Sequence, residues 1–220
     1  MLKYLLNLLF PKLCMGCDSL LLQTEKIICA NCNHHLPYTN HHILAGNDTT
    51  KKFYGIIPVE FSAAMLYFHK KGIVQNLIHN LKYKKHQEIG TLLGEWYAKD
   101  LESVANIKTV SEIIPVPLHK KRLEERGYNQ ITTFCETLSN ELKIPYNPNL
   151  LYRNRYSKTQ TKKDKENRKD ITNALFDVHF TETDYNKHFL LVDDVMTSGA
   201  TLEACAKALL KIPNSKVSIV

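Results

Sequence analysis

Apolar positions along this chain fall into short runs of two periods, separated by polar stretches. "FLLV" at residues 189–192 is continuously apolar and of strand length, which suits a strand buried on both faces of a parallel sheet. "EIIPVPL" at 112–118 is a second short strand, cut off by two prolines, and "KVSIV" at 216–220 is a third. "VEFSAAMLYFHK" at 59–70 and the vicinity of "NLLYR" at 149–153 complete the predicted strands. Between them, "IVQNLIHNLKY", "IGTLLGEWYAKDL", "NQITTFCETLSNEL" and residues 200–212 space their apolar positions as helices do. Strands alternating with helices predict an α/β fold, a mostly parallel sheet flanked by helices, with ligands bound beyond the carboxyl ends of the strands.

At 220 residues and 44% hydrophobic content, the chain is long enough for one substantial core and one small appendage. The appendage is written in cysteines. Cys14 and Cys17 form one C-x-x-C knuckle, Cys29 and Cys32 another, and this paired spacing suits tetrahedral thiolate coordination of Zn2+ in a structural site. His34, His35, His41 and His42 read as loop residues, since four cysteines already close such a site. Cys135 and Cys205 sit in helical patterns and read as packing residues.

"MLKYLLNLLF" at 1–10 reads as a short docking helix, far below the roughly 20 residues of a spanning helix, and it lacks a cleavage pattern. The expectation is a cytoplasmic, reducing location without stable membrane insertion. Residues 40–52, polar and aperiodic, read as a linker. The predicted organisation is therefore a zinc-binding module with a short N-terminal helix over 1–45, then an α/β domain over 53–220.

Charge adds a preference for anions: 29 Lys and Arg against 22 Asp and Glu give a net +7. The candidate site for one follows the first strand described. Asp193 and Asp194 stand at its carboxyl end, and "VMTSGAT" (Val195, Met196, Thr197, Ser198, Gly199, Ala200, Thr201) opens directly into a helix. Backbone N–H groups of such a loop and the helix N-terminus suit a phosphate, while the carboxylates suit sugar hydroxyls. The segment as a whole fits a phosphorylated ribose.

"LLVDDVMTSGATL" resembles the phosphoribosyl-pyrophosphate (PRPP) motif of type I phosphoribosyltransferases. Joined to the four-cysteine module and to "IIPVPLHKKRLEERGYNQ" at 113–130, it resembles the ComF family of competence-associated proteins over nearly the whole chain. The resemblance implies a type I phosphoribosyltransferase-like domain behind a zinc ribbon. It implies that Asp193 and Asp194 bind the ribose hydroxyls, that Thr197 to Thr201 hold the 5′-phosphate, and that Mg2+ accompanies PRPP. Residues 115–122 would form the pyrophosphate-side loop, with Lys121, Arg122 and Arg126 as its cations. Residues 153–168 would form a closing loop, in which Arg155, Gln160 and Arg168 match the family pattern and Ser157 stands where Thr is usual.

Two functions follow as expectations. One is a PRPP-dependent transferase that displaces pyrophosphate at the anomeric carbon, for which no acceptor pocket is recognisable in the sequence. The other is a competence factor that handles single-stranded DNA and meets other proteins of the competence machinery, using the PRPP fold as a ligand sensor. "LKYKKH" at 81–86, where Tyr83 sits among lysines, fits the second, because grooves for single strands combine cations with stacking aromatics.

Overall fold

A computed structural model describes residues 11–44, 46–154 and 175–220. Its centre is a three-stranded parallel sheet of β1 (Glu112–Pro115), β4 (His188–Val192) and β5 (Lys216–Ile219), with β4 in the middle. Every residue of β4 is buried. Phe189 and Leu191 enter one apolar cluster and Leu190 and Val192 another on the opposite face, which is why this strand is apolar without alternation. β2 (Leu151–Arg153) pairs antiparallel with β3 (Phe176–Val178) beside the sheet.

The predicted strand at 59–70 is reduced to strand-like hydrogen bonds. Glu60 and Ala63 donate N–H to the carbonyls of Val217 and Ile219, placing this segment along the outer edge of β5. On the other side, a single parallel bridge sets Tyr146 beside Ile113. The chain thus leaves β1 toward one edge and β4 toward the other. A crevice opens at that reversal, between the carboxyl ends of β1 and β4.

The helices are α1 (Ala30–His34), α2 (Asp48–Phe53), α3 (Ile73–Tyr83), α4 (Glu88–Leu101), α5 (Lys120–Arg126), α6 (Thr132–Leu142) and α7 (Ala200–Leu209). In α3 the apolar stripe Val74, Leu77 and Leu81 is buried, as its spacing predicts. α4 lies close against α6 because Gly90 and Gly94 face it one turn apart. A Cβ on Gly90 would stand 2.2 Å from Thr133 Oγ1, and one on Gly94 2.8 Å from Thr137 Cβ. α7 covers the face of the sheet formed by Phe189 and Leu191.

Where the sequence reads as linker, the structure holds α2. Asn47 caps it, its Oδ1 accepting N–H groups of Thr49 and Thr50, while its Nδ2 donates to the Ser62 carbonyl at 2.8 Å. Phe53, at its end, is fully buried in the main core. A polar surface thus hides a helix anchored by one aromatic residue. Among the described residues no helix is long and apolar enough to cross a membrane; residues 1–10 lie outside them.

Candidate functional site

Asp193 continues directly from β4. Its N–H donates to the Val220 carbonyl at 3.1 Å, which fixes the strand end, and its Oδ1 accepts the Asp194 N–H at 2.9 Å. Burial, reinforced by the neighbouring Asp194 charge, pushes the Asp193 carboxyl up to about 7. Asp194 is held differently. Its Oδ2 accepts from Lys82 Nζ at 2.6 Å and from Gln130 Nε2 at 2.6 Å. The Gln130 amide is oriented from behind by Arg126, whose guanidinium donates to Gln130 Oε1. Arg126 also lies over the Tyr83 ring, 5.5 Å from its centroid.

Beyond the carboxylates, residues 195–202 wrap a small concavity of about 40 Å³ that leads to the N-terminus of α7. Gly199 makes this turn with φ 84°, a left-handed conformation, and an added Cβ would meet the Phe53 ring at 3.3 Å. Lys52, from α2, donates to the Thr197 carbonyl and brings a cation to the loop. Loop backbone, hydroxyls and a helix N-terminus line this concavity, with the Lys52 ammonium at the Thr197 carbonyl beside it, a set of groups suited to an anion the size of a phosphate.

The wall opposite comes from β1. Val116 N–H donates to the Val192 carbonyl at 2.9 Å, and Asn129 Nδ2 donates to the Val116 carbonyl at 3.1 Å, so the turn before α6 is tied to the β1 exit. Lys121 and Arg122 lie on α5, which buries none of its residues, and Lys121 meets Glu125 at 3.8 Å. Arg153 is partly buried over the Phe176 ring, and burial and the nearby Arg122 charge lower its pKa. Among the described residues neither Arg122 nor Arg153 makes an ion pair.

The four predicted cysteine ligands converge. All four Sγ atoms lie within 4.8 Å of one another, and Cys17 Sγ stands 3.7 Å from Cys29 Sγ. Metal–sulfur bonds of 2.3 Å in a tetrahedron separate sulfurs by about 3.8 Å, so the cluster fits a metal ion such as zinc. Backbone N–H groups already point at the sulfurs, from Cys29 to Cys14 Sγ at 3.2 Å and from Cys32 to Cys29 Sγ at 3.4 Å, as ligands to a cation require. α3 grips the first knuckle, with Asn76 Nδ2 donating to the Gly16 carbonyl and Asn80 Nδ2 to that of Met15.

No family model matches the chain. Individual proteins do. It is 27% identical to Competence protein F of Haemophilus influenzae over 212 residues, covering 94% of this chain and 88% of that one. It is 26% identical to DNA utilization protein YhgH of Escherichia coli over 192 residues, 86% of this chain and 80% of the other. Over 99 residues it is 34% identical to Competence protein ComFC of Bacillus subtilis, 45% of this chain and 38% of that protein. These matches, with the clustered cysteines, support the resemblance to the ComF family.

The sequence-predicted residues fall into two places. Asp193 to Thr201 surround the crevice, and the four cysteines form their own cluster, tied to α3 through Asn76 and Asn80. Arg126 joins the crevice only through Gln130. Arg155 and most of the 153–168 loop, including Ser157, Gln160 and Arg168, lie outside the described residues. Lys52, Lys82 and Gln130 are the site residues that sequence reading missed. Lys82 stands within "LKYKKH", where its lysine neighbours disguise it. Gln130 ends "RGYNQ", where only the resemblance drew notice to the segment.

Proposed function

We propose that this protein binds PRPP through the segment from Asp193 to Thr201, in a type I phosphoribosyltransferase-like domain fronted by a zinc module, and serves in the handling of DNA during uptake. The observation that carries the reading is the position of the Asp193–Asp194 pair at the strand reversal, followed at once by the left-handed Gly199 turn and the start of α7. The 5′-phosphate would occupy the concavity of residues 195–202 beside Lys52. The ribose hydroxyls would donate to Asp193 and Asp194. Lys82 would then shift from Asp194 toward the sugar, since a carboxylate oxygen engaged twice at 2.6 Å has little capacity left.

The pyrophosphate would face α5 and β2, where Arg122 and Arg153 supply positive charge without a carboxylate partner among the described residues. Mg2+ would be held largely through pyrophosphate and its own waters, and it would neutralise charge on the leaving group. Zn2+ in the cysteine cluster would be structural, because four protein thiolates leave no open position for substrate.

Phosphorus NMR tests the site with the intact, metal-loaded protein. The PRPP 5′-phosphate resonance should broaden on addition of wild-type protein with Mg2+, and remain sharp with Gly199→Val, whose side chain is forced against Phe53. Equal broadening by both proteins would remove the phosphate from this loop.

A DNA-binding role has its own observation. Tyr83 is 68% exposed at the end of α3, flanked by Lys84 and Lys85 and backed by Arg126. A cation-flanked, exposed ring of this kind suits a stacked base, and the names of the relatives agree with it. Binding of single-stranded DNA should weaken steeply with salt and be lost first in Tyr83→Ala.

A further inference from the structure

The crevice at Asp193 and Asp194 and the exposed ring of Tyr83 are joined by a closed circuit of side chains. Lys82 and Tyr83 are neighbours at the end of α3. Lys82 reaches Asp194 at 2.6 Å, Asp194 accepts from Gln130 at 2.6 Å, and Gln130 accepts from Arg126. The Arg126 guanidinium then returns to the Tyr83 ring, 5.5 Å from its centroid. One cation thus serves two places. Its N–H groups hold the crevice through Gln130, and its plane lies against the ring on which a base would stack.

What Arg126 does for the crevice follows from donor chemistry. A guanidinium only donates, so it fixes the Gln130 amide with Oε1 toward Arg126 and Nε2 toward Asp194. Without it the amide is free to turn over, and its oxygen would then face a carboxylate. The effect is largest with ribose bound. Once Lys82 shifts toward the sugar, Gln130 is the side chain that still holds Asp194 among the described residues.

What a nucleic acid does to Arg126 follows from charge. Arg126 is half-buried, at the end of the exposed helix α5, and the oxygen it meets belongs to a neutral amide. A phosphate offers an anion that matches a guanidinium with two parallel N–H bonds. A strand with one base on Tyr83 brings its phosphates beside this group and draws it off Gln130.

We propose that Arg126 is shared between the two sites, so that single-stranded DNA at Tyr83 and PRPP at Asp193 and Asp194 each weaken the binding of the other. The inference rests on the PRPP and DNA readings together and adds how each ligand regulates the other's site. Linkage requires the same factor in both directions, here about fivefold for the loss of one oriented partner.

Fluorescence anisotropy of a labelled oligo-dT tests it on the full, metal-loaded chain at fixed Mg2+ and ionic strength. DNA affinity should fall about fivefold as PRPP is added and then level off, and PRPP affinity, read by calorimetry, should fall by the same factor in saturating oligo-dT. Gln130→Met cuts the relay but leaves Arg126 beside Tyr83. Its affinity for DNA alone should stay near wild type, and PRPP should no longer change it. Arg126→Met should also lose the mutual effect, with both affinities reduced and the metal content unchanged. The proposal is overturned if the wild-type ligands bind independently or strengthen one another, or if Gln130→Met keeps the mutual effect. A fall in DNA affinity that never levels off would overturn it too, since that marks direct competition for one site. Failure of either ligand to bind alone would sink that ligand's reading and this proposal with it; binding of both without mutual effect would sink the proposal alone.

Discussion

Asp193 and Asp194 are adjacent in sequence and unlike in environment. Asp194 is paired with a lysine and accepts a hydrogen bond from an amide, whereas Asp193 is pushed by burial and by its neighbour from an ordinary 3.8 up to about 7. The sign of the consequence follows. Below pH 3.8 the group is protonated in folded and unfolded chains alike. Between 3.8 and about 7 the folded chain holds a proton that the unfolded chain has lost, so stability falls as pH rises and the loss is complete above about 7. Asp193→Asn removes this dependence. Its stability advantage over wild type, measured by urea denaturation of the ligand-free protein, should be small at pH 4 and grow to a plateau by pH 8. An advantage independent of pH would mean that Asp193 titrates normally.

Residue types also show what sequence could convey. Asp193 and Asp194 were legible because an apolar strand stops at them and hydroxyls follow without a gap. Gln130 lies 64 positions from Asp194 and Lys52 lies 145 from Thr197, so their roles exist only once the chain has folded. No local pattern marks such pairs, and each is a polar residue in a stretch that already reads as surface.

At the scale of elements, period and length identified α3, α4, α6, α7 and the strands of the central sheet, while α5, which buries none of its residues and so has no apolar stripe, was read as part of a loop. The failures have physical causes. α2 has one buried aromatic at its end and an Asn cap in place of an apolar stripe, and the 59–70 segment pairs on one side only, along the edge of β5. The packing of α4 on α6 was hidden because glycine reads as a helix breaker, while here its missing side chain admits the neighbour. Gly94→Ala should therefore destabilise by about 1–3 kcal/mol in thermal or urea unfolding. That outcome opposes the gain of about 1 kcal/mol expected from helix propensity alone. A stabilised variant would show that the two helices can separate without cost.

For the whole molecule, α3 is the mechanical link. It holds the first cysteine knuckle through Asn76 and Asn80, carries Lys82 to Asp194, and accepts the Tyr128 hydroxyl at the Leu81 carbonyl. Stripping the metal with a chelator should lower the melting temperature and also weaken PRPP binding, by about five- to tenfold if the two sites are coupled through this helix. Calorimetry before and after zinc restoration reads both effects. Unchanged PRPP affinity in the stripped but folded protein would make the module independent of the crevice.

The most direct test of the central claim is calorimetric titration of the metal-loaded protein with PRPP and Mg2+, beside Asp193→Ala/Asp194→Ala, with single-stranded DNA titrated in parallel. Micromolar-range PRPP binding that the double variant loses, while its metal content stays unchanged, is the predicted result. Absence of PRPP binding to the wild type, together with salt-sensitive DNA binding that the variant retains, would contradict it.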